Sequence, residues 1–345
     1  MIKIKIFQKL FSHFQVQLLC SFLLCTLLPL LIIGGISYGV SYKIARSSIL
    51  DASFSSDTRL NMQLDERLEQ VEQVADSLQY DMYSLFQTQT VQEYLEAFTN
   101  TRNDLSLFKT TFNFYHACIF LPSDYLGSRE GLYFFSTQDL SRYTFPAGSL
   151  SDPGTSSIWF LQDNVPVPEL LSSDDSASDC IACCRILKDP ETKKILYAYI
   201  LFLDVEEFSG YLEESFTDKN ISSYILTDQG QIIAQNSPDK ISQPDKELLE
   251  SLKKQTGTFF YKNKINYHCV KLQNGWYHIT EIPDSYISEN VRVLIQSILL
   301  TLFFSLPLTI LTILLISKRL TKKIRILSRA MEHLTLDSPK EDLSE

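Results

Sequence analysis

Five cysteines and three histidines between positions 43 and 292 are the side chains best suited to metal or nucleophile chemistry: Cys118, Cys180, Cys183, Cys184, Cys269, His116, His268 and His278. Cys180-x-x-Cys183-Cys184 has the spacing of a thiolate metal corner, yet a zinc site takes four ligands and no second Cys or His pair stands nearby. The same stretch also alternates, with Ile181, Cys183, Arg185 and Leu187 on one side and Ala182, Cys184 and Ile186 on the other. That is the pattern of a buried strand in which Cys serves as a small apolar residue. The odd count leaves at least one thiol unpaired. The histidines are scattered along strand-like segments, where an imidazole satisfied within a sheet is expected. His333 stands alone near the C-terminal end and is read as solvated. No phosphate-binding Gly-x-x-x-x-Gly-Lys, His-Glu-x-x-His or Gly-x-Ser-x-Gly occurs, so no catalytic residue, metal site or cofactor is expected.

Two apolar runs without a charged residue or histidine, 18–40 and 293–317, bracket this block. Each is long enough as a helix, at about 1.5 Å per residue, to cross a ~30 Å hydrocarbon core. The first exceeds the apolar core of a secretory signal, which argues for a span. Pro29 and Pro307 lie inside the runs, where membrane helices tolerate them. Lys3, Lys5 and Lys9 precede the first run, while Lys318, Arg319, Lys322, Lys323, Arg325 and Arg329 follow the second. The positive-inside rule therefore places both termini in the cytoplasm and the middle outside the cell membrane. Residues 43–292 carry 21 basic and 36 acidic residues. Such acidity argues against direct nucleic-acid binding and against flat adsorption on anionic lipid.

From Leu50 a heptad seam runs through Phe54, Asp57, Asn61, Leu64, Leu68, Val71, Ala75, Leu78, Met82 and Leu85, with no Pro or Gly between Val40 and Pro122. One long helix, 43–98, is expected. Asp57 and Asn61 could fix register in a homodimer, or the stripe could pack on the chain's own sheet; the seam allows both. Beyond it come strands at 114–121 and 131–137, a long irregular stretch at 141–178, and a hairpin at 179–187 and 195–203. Asp204 then caps a helix through Val205, Phe208, Tyr211 and Leu212. A smaller copy follows: a hairpin turning at Asp228-Gln229-Gly230, a helix at 245–255, and strands at 257–262, 265–272 and 276–281. The fold class is α+β, a long N-terminal helix with two antiparallel-sheet lobes between two transmembrane helices. The lobes are distal at about 99–203 and proximal at about 204–283, within an outer block 41–292.

The order of these features resembles a double Cache sensor domain, which is PAS-like. The resemblance rests on the long helix, the two sheet units, Thr227-Asp228-Gln229-Gly230-Gln231-Ile232-Ile233-Ala234, the Gly275-Trp276-Tyr277 strand start and the Ile282-Pro283 exit into a membrane helix. After the second run, residues 317–334 resemble the first helix of a HAMP relay, with Leu320, Ile324, Leu327, Met331 and Leu334 stepping by four and three. Lys323 stands where HAMP domains carry Pro. The whole is similar to the input half of a bacterial sensor histidine kinase of the type paired with AraC-like response regulators, its catalytic part lying beyond residue 345.

That resemblance implies a homodimer, an extracellular small-molecule ligand and, for an intact kinase, a response-regulator partner. It places the ligand between the distal sheet and the loops of 141–178. Candidate contacts there are Tyr115, Tyr133, Arg142, Tyr143 and Trp159, aromatic walls with one charge. A chemotaxis receptor, a diguanylate cyclase, a membrane-bound AraC-type regulator and a non-signalling anchored binding protein remain open as alternatives.

Overall fold

The computed structural model describes residues 14–126, 132–146, 156–166, 177–216, 218, 220–237 and 246–336. Asp51–Tyr286 forms one compact unit, and the helical segments before and after it form another. Helix α1, Phe14–Gln87, contains the first apolar run and then the heptad seam. It stops earlier than the sequence suggests. Thr90 caps a new helix, α2 (Val91–Thr111), its side chain accepting from the Glu93 N–H while the Glu93 carboxylate accepts from the Thr90 N–H. This reciprocal box satisfies donors that an unbroken helix would have used internally.

Two five-stranded sheets follow. The first contains β1 (His116–Leu121), β2 (Phe134–Ser136), β3 (Ile158–Pro166), β4 (Ala177–Lys188) and β5 (Ile195–Asp204), ordered β2-β1-β5-β4-β3. After α3 (Val205–Ser215), the second contains β6 (Ser222–Leu226), β7 (Ile232–Gln235), β8 (Phe259–Lys262), β9 (Ile265–Lys271) and β10 (Tyr277–Pro283). Its order, β7-β6-β10-β9-β8, repeats that of the first, with α4 (Lys246–Lys254) in the same chain interval as the longer insertion. All pairings are antiparallel except β1 with β2, which is parallel. That pair departs from the all-antiparallel expectation because the connection between them, unlike a tight hairpin turn, is long enough to return the chain to the same end.

Strand β3 lies inside the stretch read as irregular. Its short apolar run Ile158-Trp159-Phe160-Leu161 is followed by Gln162-Asp163-Asn164, and the register shifts between Gln162 and Val165. A bulge of this kind breaks the alternation by which strands are recognised. The cysteines behave as the strand pattern requires: Cys180, Cys183 and Cys184 are buried on β4 and unpaired.

The seam of α1 is buried against its own chain. From Asp57 onward this holds for every seam position: Leu64, Leu68, Val71, Ala75, Leu78, Met82 and Leu85 are at most 1% exposed, and Asp57 and Asn61 are buried with them, whereas Phe54 at the start of the seam is 43% exposed and Leu50 only half-buried. The polar pair finds its partners in the second sheet of the same chain. After β10 the chain enters α5, Asp284–Leu336, with no intervening loop. Within α5, Asp284–Ile316 is long and apolar enough to cross a membrane, the one such stretch among the described residues. Leu320, Ile324, Leu327, Met331 and Leu334 all lie on α5; of these, Leu327 has a described side chain, and it is exposed.

Replacing Leu78 by Ala removes a fully buried side chain and is expected to cost about 2–5 kcal/mol. Tyr83→Ala, on the exposed side of the same helix, is expected to stay within about 0.5 kcal/mol. Urea denaturation of the full chain in detergent micelles would measure both.

Candidate functional site

Two polar anchors position the sheets on α1. In the first, Asp57 enters the second sheet. Thr280 on β10 donates to Asp57 Oδ1 at 2.5 Å, and the His268 ring on β9 bonds Asp57 Oδ2 through Nδ1. Asn61, one turn on, donates through Nδ2 to the Asp57 carbonyl at 2.8 Å, and its Oδ1 lies 2.9 Å from His278 Nδ1. The other His278 nitrogen, Nε2, is 2.8 Å from the Ser223 hydroxyl of β6. His278 can thus be neutral, donating from Nδ1 and accepting at Nε2.

Complete burial lowers the His278 pKa, the nearby Asp57 carboxylate opposes that shift, and His268 reinforces it. Burial alone would raise the Asp57 pKa; the charges of His278 and His268 and the bonds from His268 and Thr280 more than offset it, holding the group below the usual carboxylate range.

In the second anchor, Arg185 on β4 reaches back to the helix. Its NH2 meets Glu72 Oε2 at 2.7 Å, its NH1 meets Asp76 Oδ1 at 2.6 Å and Gln79 Oε1 at 2.9 Å, and its Nε donates to Ser157 Oγ at 2.8 Å. Glu72 also accepts from Trp159 Nε1 at 2.9 Å and from the Ser157 hydroxyl at 2.5 Å. Tyr199 on β5 donates to the Ala75 carbonyl at 2.6 Å. Between the anchors, Arg67 of α1 pairs with Glu207 of α3 at 2.8 Å.

The opposite face of the first sheet is apolar. Cys118, Phe120, Ala182, Cys184, Ala198, Ile200 and Phe202 form one buried cluster, with Leu140 and Phe160, and partly buried Tyr115, Tyr143 and Phe145 pack against it. Burial pushes the Cys118 and Cys180 thiols up to about 12, which keeps them protonated and unreactive.

The five sequence candidates separate on this framework. Tyr143 lies on the apolar face, its ring 5.7 Å from both Phe120 and Phe202 and its hydroxyl 3.9 Å from Cys118 Sγ. Tyr115 packs beside the same cluster and donates to the Val165 carbonyl at 3.1 Å. Tyr133 is buried and stacks on His116 at 5.8 Å. Arg142 is 74% exposed and paired with Asp139. Trp159 turns the other way, to Glu72 and the helix. The structure therefore brings Tyr115 and Tyr143 to one cluster and leaves Arg142 and Trp159 elsewhere. Sequence reasoning missed both polar anchors, although Asp57 and Asn61 had marked the first as polar residues in an apolar seam.

Comparison with known proteins returned no matching family model and no curated relative. Among solved structures, the ligand-binding domain of the Campylobacter jejuni chemoreceptor Tlp3 in complex with L-valine is 10% identical, covering 72% of this chain and 98% of its own, with a TM-score of 0.46. The extracellular domain of rpHK1S-Z16, described as a histidine kinase, is 11% identical over 70% of this chain and 97% of its own, TM-score 0.47. Methyl-accepting chemotaxis protein X gives 13%, 69%, 98% and 0.44. Likenesses this distant leave the function to be argued from the chain's own residues.

A buried histidine with a lowered pKa contributes stability at a pH above its unfolded value, and that contribution is lost as the pH falls. His278 is lowered, and His116 is lowered to about 4 by burial and by Lys109. The urea midpoint of the full chain is expected to be flat between pH 7 and about 8, below the unfolded thiol value, and to fall once the pH drops below about 6.5, the unfolded histidine value. His278→Asn should flatten that fall in part, leaving the share of His116; a variant as steep as the parent would remove His278 from the account.

Proposed function

We propose that this chain is a transmembrane receptor that senses an extracellular small molecule and passes the signal to the cytoplasm. The observation that carries this reading is the continuity of helix on both sides of the sheets: α1 joins the first apolar run to the packed seam, and α5 starts at the residue after β10 and contains the second. A displacement of the sheets has no loop in which to dissipate. In this reading both apolar runs cross the bilayer, both termini are cytoplasmic, and the chain works as a homodimer. The ligand lies against the apolar face of the first sheet, with Tyr115 and Tyr143 among its contacts; Arg142 and Trp159, which point elsewhere, are not among them.

Leu320, Ile324, Leu327, Met331 and Leu334 then form a HAMP-like relay between two copies. A ligand that prefers one arrangement of the sheets shifts the equilibrium of that relay by its differential affinity. The output is a histidine kinase acting on a response regulator, supported by the resemblance of the input half; a chemotaxis receptor would use the same input.

The exposed Leu327 and the fully buried Leu64 provide the test. In membranes, Leu327→Cys is expected to crosslink between copies while Leu64→Cys does not. A panel of amino acids, sugars and organic acids screened by thermal shift should contain a compound that raises Tm and changes Leu327→Cys crosslinking. Stabilisation without any change in crosslinking would contradict the relay, and no crosslinking at Leu327 in any condition would contradict the dimer.

A further inference from the structure

The chain has two tryptophans, and both stand at one groove. Trp159 comes from edge strand β3 of the first sheet and Trp276 directly precedes β10 of the second; their rings meet edge to face with centroids 6.1 Å apart. The groove beside them encloses about 530 Å³. A neighbouring hollow of about 340 Å³ shares Trp159, Asp228, Gln229 and Trp276 with it. Spaces of this size are typical of small-molecule sites, and neither Tyr115 nor Tyr143 lines them.

Two tight turns supply the polar wall. Asp228 and Gln229 sit in the β6–β7 turn, closed by Gly230 N–H to the Thr227 carbonyl at 3.0 Å; Lys271 and Asn274 flank the β9–β10 turn, closed by Gly275 N–H to the Leu272 carbonyl at 3.0 Å. Gly230 and Gly275 hold φ of 90° and 89°, a conformation that side chains disfavour. A Cβ at Gly230 would also stand 3.0 Å from Leu249 Cδ2. Both turns are therefore fixed in shape. Within the second, Asn274 Oδ1 accepts from the Trp276 N–H at 3.1 Å, which sets the amide plane, and Asn274 Nδ2 is buried with no acceptor in the protein.

We propose that this groove is a binding site for an uncharged, hydroxyl-rich ring compound, a mono- or oligosaccharide. Each sugar hydroxyl both donates and accepts, which suits a wall holding a carboxylate acceptor at Asp228 and amides at Gln229 and Asn274. Trp159 and Trp276 are at most 9% exposed, and their rims leave apolar contact for the C–H groups of a pyranose ring. One acid and one base, Asp228 and Lys271, leave no net charge to select an ion. Because the ligand would touch turns of the second sheet and the edge strand of the first, it would bridge the two. This site is separate from the one assigned to the first sheet above.

With both tryptophans at the groove, intrinsic fluorescence of the full chain in nanodiscs reports on it directly. Titration with glucose, maltose and chitobiose, with L-valine and citrate as controls, is expected to give a saturable change with at least one sugar and none with the controls. Asp228→Asn and Gln229→Ala should each weaken that binding by about tenfold or more, the usual effect of losing one strong hydrogen bond, while Tyr83→Phe on the exposed side of α1 leaves it unchanged. No change with any of the three sugars, a response to valine or citrate in their place, or a sugar response that survives both groove variants would overturn the proposal.

Discussion

A carboxylate buried in an apolar helix face must find partners, and the position of those partners sets where the helix can lie. Asp57 has that position on α1, and its partners His268 and Thr280 belong to two adjacent strands of the second sheet. Sliding the helix by one turn would leave a charge buried without compensation, which is among the costliest errors a core can contain. On the first sheet the largely buried charge is that of Arg185, which finds its partners in the more exposed Glu72 and Asp76 of the helix. The apolar stripe between these points supplies the burial, but it is indifferent to small shifts along its length. The polar groups are what make one register unique.

This division of labour bears on signalling. A sheet tied to a helix by directional bonds moves with that helix as one body, whereas a sheet held by apolar contact alone can slip. Both sheets are tied to the same α1, and the second continues straight into α5. A ligand acting on either sheet therefore works against the same rigid element. The two proposed sites, the apolar face of the first sheet and the tryptophan groove, differ in chemistry: apolar and thiol side chains at one, amides and a carboxylate at the other.

Much of the architecture was legible in the residues. The heptad seam, the hairpin into Asp204, its cap on α3 and the smaller repeat of the sheet unit all appear in the structure, because each depends on local spacing. The cysteines of β4 were readable as strand residues for the same reason. What failed depended on distant partners or broken patterns. Strand β3 carries a bulge and polar residues that hide its alternation, and the end of α1 at Gln87 is decided by the Thr90–Glu93 box, whose pull against a continuing helix is not visible from periodicity. Asp57 and Asn61 were recognised as anomalous in the seam, yet their partners lie more than two hundred positions away, so no spacing argument could name His268 and His278. Among the site candidates, aromatic identity could not tell which sheet face each would take. Trp159 turned to the helix because Glu72 accepts its N–H.

The central claim is that buried polar groups, and Asp57 above all, register α1 on the sheets of its own chain. Native-state hydrogen exchange on the full chain in nanodiscs, comparing the parent with Asp57→Ala, tests it most directly. The account predicts that amides of residues 57–64 and of strands β9 and β10 lose protection together in the variant, while β4 and β5, held by the Arg185 anchor, keep theirs. Unchanged protection across both segments, or loss confined to the helix with β9 and β10 unaffected, would contradict it.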